Sequence, residues 1–235
     1  MTTTDLQILK KAETAVSPLS VTRRYLLIGL ALAFASSLAT TMVVLRMMYT
    51  GELYFAFLVW NLFLAWLPFL FAVIVYRFRR QQIVAGAVGV LWLLFLPNAP
   101  YLMTDLIHLY PWGNVPFWYD AVMLFVFALT GLMLGLVSLY LLHAVVAGQY
   151  GARIGWAFAL AASALSGLGV YIGRFLRWNS WDIFTSPLRV MEDVVISLLH
   201  PDMFLKTFVM TGLLTAVFIL AYVVLFMTPR LASGD

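Results

Sequence analysis

The sequence predicts an all-α protein built as a polytopic membrane helix bundle, with about six transmembrane helices, a broken third span and short interfacial helices on the outer side. Three observations carry this. Hydrophobic residues make up 64% of the 235-residue chain and charged residues only 10%, with a mean hydropathy of +0.98. A soluble domain carries roughly 25% charged residues, so this chain cannot clothe a water-facing surface. Apolar stretches near the roughly 20 residues needed to cross a bilayer recur six times. Basic and acidic residues are also sorted to opposite ends of those stretches.

The first span, residues 25–45, follows Arg23 and Arg24 and contains Ala33-Phe34-Ala35. Those small residues suit a signal-peptide cleavage site. However, the polar leader is long and the apolar run continues to Leu45, so an uncleaved anchor is expected. The second span, 53–76, carries Asn61, read as interhelical glue, and Pro68, which frees the carbonyl of Leu64 and predicts a kink. The third, 83–96, is short, covering about 21 Å of a hydrocarbon core about 30 Å thick at about 1.5 Å per residue. The fourth, 120–147, opens on Asp120, which suits the positive end of a helix dipole. His143, alone near its inner end, reads as structural. The fifth, 154–176, and the fourth each hold a GxxxG pair, Gly169 with Gly173 and Gly131 with Gly135. That spacing allows backbones to approach closely, and it predicts either packing of spans four and five together or a homo-oligomer. The sixth span is 204–227.

Orientation follows from Lys and Arg. With the N-terminus inside, Lys10, Lys11, Arg23, Arg24, Arg77, Arg79, Arg80, Arg153 and Arg230 fall in inner segments. Arg46, Arg174, Arg177, Arg189 and Lys206 fall in outer ones, and loop 97–119 has none. Residues 1–24 and 228–235 are therefore expected in the cytoplasm, flanking a transmembrane domain over 25–227 in the cell membrane. Glu52, Asp105, Asp120, Asp182, Glu192, Asp193 and Asp202 gather on the outer side, as do Trp60, Trp112, Trp118, Trp178 and Trp181, which suits an interfacial aromatic belt. The net charge of +4 comes from helix ends and is no nucleic-acid signal. With no cysteine, disulfides and thiolate metal sites are excluded, and the redox compartment stays open.

In "LFLPNAPYLMTDLIHLY", starting at Leu94, Pro97 cannot donate to the carbonyl of Leu93, nor Pro100 to that of Leu96. Freed carbonyls in lipid need partners. Asn98 as an N-cap and Pro100 in a first turn predict a second, short helix over about 99–109, amphipathic and lying at or dipping into the outer interface. Tyr101, Thr104, Asp105 and His108 fall at i, i+3, i+4 and i+7, one polar stripe. Asp105 and His108 are candidate acid–base residues. Two ligands at i, i+3 fall short of the three or four that zinc takes, so no metal is expected. Haem between His108 and His200 is set aside.

The fifth span ends in "GVYIGRFLRWNSWD". Arg174 and Arg177, one turn apart on one face, could hold an anionic headgroup bidentately, with Asn179 and Asp182 beside them. Matched depth pairs Arg174 with Asp105, and Asn61, Asn98 and Tyr101 join a structural polar cluster. Ser186-Pro187 marks an N-cap and first helical residue. The helix that follows presents Leu188, Met191, Val195, Leu198 and Leu199 on one face, and Arg189, Glu192, Asp193, Ser197 and His200 on much of the other, as an interfacial lid.

Through "NLFLAWLPF" at Asn61, "FLPNAPYLMTDLIHL" at Phe95 and "YIGRFLRWNSWD" at Tyr171, the chain resembles a family of uncharacterised multi-pass bacterial membrane proteins, the domain of unknown function 1361, over roughly residues 52–226. The resemblance implies the architecture and brings no reaction, substrate or partner. No P-loop, GxSxG, HExxH or dinucleotide fingerprint stands in its required context, and no cofactor or nucleic acid is expected. A binding or structural envelope protein is the preferred reading, with membrane lipid and a lipid-linked or envelope ligand as partners. The alternative is a membrane enzyme acting on such a ligand with Asp105, His108, Arg174 and Arg177. A transporter is third, because the inner half offers almost no ionisable lining beyond His143 and the broken helix has no counterpart in the other half.

Overall fold

A computed structural model of the chain describes residues 18–111, 115–199 and 201–233. Lys10 and Lys11 of the orientation argument, Trp112 of the third loop and His200 lie outside the described residues. The helices are α1 (Pro18–Thr50), α2 (Ala56–Arg77), α3 (Gln82–Phe95), α4 (Asn98–Thr104), α5 (Phe117–Tyr150), α6 (Ala152–Tyr171), α7 (Asp182–Thr185), α8 (Pro187–Leu199) and α9 (Pro201–Ser233). A 3-10 turn, Asp105–His108, continues α4, and a π turn, Ile172–Leu176, continues α6. Among the described residues six segments are long and apolar enough to cross a membrane: Tyr25–Thr50, Ala56–Arg77, Gln82–His108, Phe117–Tyr150, Ala152–Leu176 and Thr207–Thr228. The protein is an all-α polytopic helix bundle.

Helix α5 is its axis, packing against α1, α2, α4, α6 and α9. At one end Phe127 and Leu134 of α5 meet Leu62 and Phe69 of α2 and Leu102 of α4. At the other, Leu139 and Leu142 meet Trp92 of α3, Ala162 of α6 and Phe218 of α9. Lipid tails are as apolar as leucine, so burial from water does not drive these contacts. Close packing and interhelical hydrogen bonds hold the bundle. Trp92 Nε1 donates to Ser138 Oγ at 3.2 Å, fastening α3 to α5. Helix α1 is peripheral, with Leu27, Phe34 and Met48 exposed. It is tied on by Trp66 Nε1 donating to Ser36 Oγ (3.0 Å) and Tyr119 Oη donating to the Met42 carbonyl (2.9 Å).

The third span differs from the expectation. Pro97 keeps helical angles (φ −57°, ψ −27°), so the two prolines interrupt the hydrogen-bond ladder while the helical path continues. The piece after the break therefore completes the span. It does not lie flat at the surface: Ala99 and Leu102 are fully buried, wedged among α2, α5 and α6.

Helix α8 begins at Pro187 as expected. Its inward side is Val190, Asp193 and Ser197, while Leu188, Met191, Val195 and Leu199 face away from the bundle. Polar and small side chains dock this helix, and its leucine stripe is left outward.

Candidate functional site

The break is held in a seat of glycines. A methyl group added at Gly131 would sit 2.6 Å from both the Ala99 carbonyl oxygen and Leu102 Cδ1. One added at Gly169 would strike the Pro97 ring, and one at Gly173 would come within 3.3 Å of the Tyr101 ring. Both GxxxG pairs thus face the interrupted span. The expected contact of spans four and five through these motifs is replaced by α5 and α6 gripping α4 from two sides, because the kinked backbone needs the closest approach.

The Leu96 carbonyl freed by Pro100 is met locally. Ala99 N donates to the Leu96 carbonyl at 3.1 Å, one residue short of the α-helical partner. That leaves the Phe95 carbonyl, which accepts from Asn98 Nδ2 at 3.0 Å. Asn98 is therefore not the N-cap expected of it. Pro97 occupies that position without a side-chain bond, and the Asn98 amide reaches back across the kink and also to Ser180 Oγ at 3.0 Å.

Beyond the break, Asp105 is almost fully buried and is the hub of a polar cluster. It accepts from Asn61 Nδ2 at 3.0 Å and is paired with Arg174 Nη2. Arg174 also donates from Nε to Thr104 Oγ1 at 2.9 Å, and its guanidinium lies 4.3 Å from the centroid of the Tyr101 ring. The Thr104 hydroxyl donates in turn to the Tyr101 carbonyl at 2.6 Å. The structure thus unites Asn61, Tyr101, Asp105 and Arg174, whereas Asn98 bonds outside the group. His108 stands at the edge. Its Nδ1 is 3.1 Å from the Asp105 carbonyl and 4.0 Å from the carboxylate, and its ring centroid is 4.9 Å from that of Phe57. A carbonyl accepts only, so the proton of a neutral His108 sits on Nδ1.

Arg177 does not share a face with Arg174. It takes a left-handed conformation (φ 61°) that ends the helical run, so Arg174 turns inward and Arg177 outward to solvent or headgroups. Asn179 and Asp182 close their own turn. Asp182 Oδ2 accepts from Asn179 N at 2.6 Å and from Asn179 Nδ2 at 3.3 Å. Trp178 Nε1 donates to Asp193 Oδ2 at 2.8 Å and pins α8 over this loop.

Between α2, the break, α6 and this loop lies a groove of about 410 Å³. Its polar end is formed by Asn61, Asn98, Tyr101, Asn179 and Ser180, and its walls by Leu64, Leu93, Leu94, Leu165 and Leu168. Val90 and Leu165 on its rim are 69% and 50% exposed, so the groove opens sideways, into the lipid. Asp105, His108, Arg174 and Arg177 are not part of its lining. Among the described residues no three His, Cys, Asp or Glu side chains converge on a point.

Sequence reasoning missed a second ion pair. Arg46 donates to Asp120 twice, Nε to Oδ1 at 2.7 Å and Nη2 to Oδ2 at 3.0 Å, with both side chains at most 3% exposed. The guanidinium lies 4.4 Å from the Phe55 ring centroid. Asp120 is thus engaged by a side chain as well as by its helix dipole. The available signal was an arginine near the end of the first span at the same depth as an aspartate opening the fourth. His143, at the opposite end, is buried. Its Nδ1 is 2.6 Å from Tyr222 Oη, and its ring stacks on Phe226, a structural setting.

A family model described as "Protein of unknown function (DUF1361)" matches residues 60–220. No curated protein and no solved structure matches.

Proposed function

The chain belongs to the DUF1361 family of proteins of unknown function, and from its geometry we propose that it is an integral membrane protein that binds a membrane lipid, or a lipid-linked envelope ligand, in the groove beside the broken span. One observation carries this reading. The groove has hydrogen-bonding side chains at one end, leucine walls along its length and a sideways opening. Its volume falls in the range of about 300–1,000 Å³ usual for small-molecule sites. Such a shape accepts an amphiphile sliding in from the bilayer plane, head towards the break and chains trailing between α3 and α6.

The Asp105 cluster is the support of this site. With its carboxylate committed to Arg174 and Asn61, Asp105 fixes the side chain of Asn61, which lines the groove, and holds α4 to α2 and α6. That commitment favours binding over catalysis by Asp105 and His108. The acidic residues and tryptophans around this end, set against Arg77, Arg79, Arg80 and Arg153 at the other, support a mouth on the extracytoplasmic side of the cell membrane, with both termini in the cytoplasm.

Photo-crosslinking tests the reading. A phospholipid with a diazirine on its acyl chain is expected to label α3 and α6 around Val90, Leu93 and Leu165 well above the exposed faces of α1 and α9. Leu165→Trp, which fills the mouth, should suppress that labelling. Uniform labelling of every lipid-facing helix, unchanged by the substitution, would remove the proposal.

A further inference from the structure

The groove's polar end has a chemistry that chooses between headgroups. None of its lining residues is Lys, Arg, His, Asp or Glu. Most nearby charges are occupied elsewhere, and Arg177 is turned outward and is not part of the lining. Arg174 is on Asp105, Asp193 holds Trp178, and Asp182 holds Asn179. Two of the lining amides are oriented by what they bond. Asn61 Nδ2 points at the Asp105 carboxylate and Asn98 Nδ2 at the Phe95 carbonyl. A carboxylate and a carbonyl only accept, so in each amide the nitrogen is fixed on that side and the oxygen is left as the unengaged acceptor. Ser180 Oγ accepts from Asn98, which leaves its own proton to donate. The polar end thus offers acceptors together with donors, namely the Ser180 and Tyr101 hydroxyls and the second N–H of the Asn61 and Asn179 amides, and its lining holds no cation.

Resting on the lipid-binding reading above, we infer that the site selects a lipid whose head is uncharged and carries hydroxyl groups, such as the glycerol of a diacylglycerol or the sugar of a glycosyl lipid. A hydroxyl both donates and accepts, and so satisfies an amide oxygen and the Ser180 hydroxyl together. The ionised oxygens of a phosphate head only accept, so they would meet the donors but lie against the two fixed amide oxygens, and the lining has no cation to offset desolvation of the charge. The rings of Trp60, Trp178 and Tyr101 in the lining suit the apolar face of a sugar or a glycerol backbone.

The experiment uses the full chain in phosphatidylcholine nanodiscs and follows tryptophan fluorescence, reported by Trp60 and Trp178. Dioleoylglycerol, a monohexosyl dioleoylglycerol and dioleoyl phosphatidic acid are titrated separately, so that the acyl chains stay constant. One or both neutral lipids should bind at least tenfold more tightly than phosphatidic acid. Which of the two wins tells glycerol from sugar. Ser180→Ala should weaken the neutral lipid about tenfold, the loss of one or two hydrogen bonds in a groove, with little change for phosphatidic acid. Leu165→Trp should abolish binding of every lipid. Phosphatidic acid binding as tightly as the neutral lipids, or tighter, would overturn the headgroup inference and leave lipid binding standing. No response to any of the three lipids would take down both.

Discussion

Replacing Asp120 with asparagine leaves the Arg46 guanidinium charged, buried and without its carboxylate. Breaking a buried pair from one side costs roughly 3–5 kcal/mol. Asp105→Asn does the same to Arg174, whose side chain is 15% exposed, and the loss should fall toward the lower end of that range. Thermal or denaturant unfolding in detergent checks both. In each case a double variant that also removes the arginine (Arg46→Met with Asp120→Asn, or Arg174→Met with Asp105→Asn) should recover much of the loss. Additive losses would mean that the two members are not coupled. The two pairs were not equally legible. Arg174 and Asp105 sit in segments marked by prolines and tryptophans, and depth alone matches them. Arg46 looks like a charge at the end of a span, and Asp120 like a dipole partner. Only the continuation of α1 to Thr50 places Arg46 inside a helix facing α5.

At the scale of elements, the broken span depends on the glycines that face it. Gly169→Ala drives a methyl group into the Pro97 ring, and overpacking of this kind costs about 1–3 kcal/mol. Gly86→Ala, in the first half of the same span, meets nothing within 4 Å and should be neutral in the same unfolding assay. Equal effects would mean that the grip on the kink carries no weight. The break and both GxxxG pairs stood out in the sequence, yet their mutual contact did not. Spacing reports that a helix face is small and says nothing of which neighbour fills it. The π turn and the left-handed Arg177 were likewise hidden, because a regular helical count through residues 172–177 puts two arginines on one face that the real backbone sends apart.

For the whole molecule, six spans and their order were readable because lipid leaves so few alternatives for an apolar chain. Sidedness is open to a direct measurement, helped by the absence of native cysteine. A cysteine at Thr185, exposed at the end of α7, should react with a membrane-impermeant maleimide in intact cells. One at Arg80, in the exposed turn between α2 and α3, should react only after permeabilisation. The reverse pattern would turn the protein over, and equal access from one side would break the six-span count. The two ion pairs also constrain how the protein is made. Arg46 leaves the ribosome 74 residues ahead of Asp120, and Asp105 is 69 residues ahead of Arg174. Until its distant partner is made, each early charge has no counter-ion, so a nascent chain halted between the two holds an unneutralised and costly group at membrane depth.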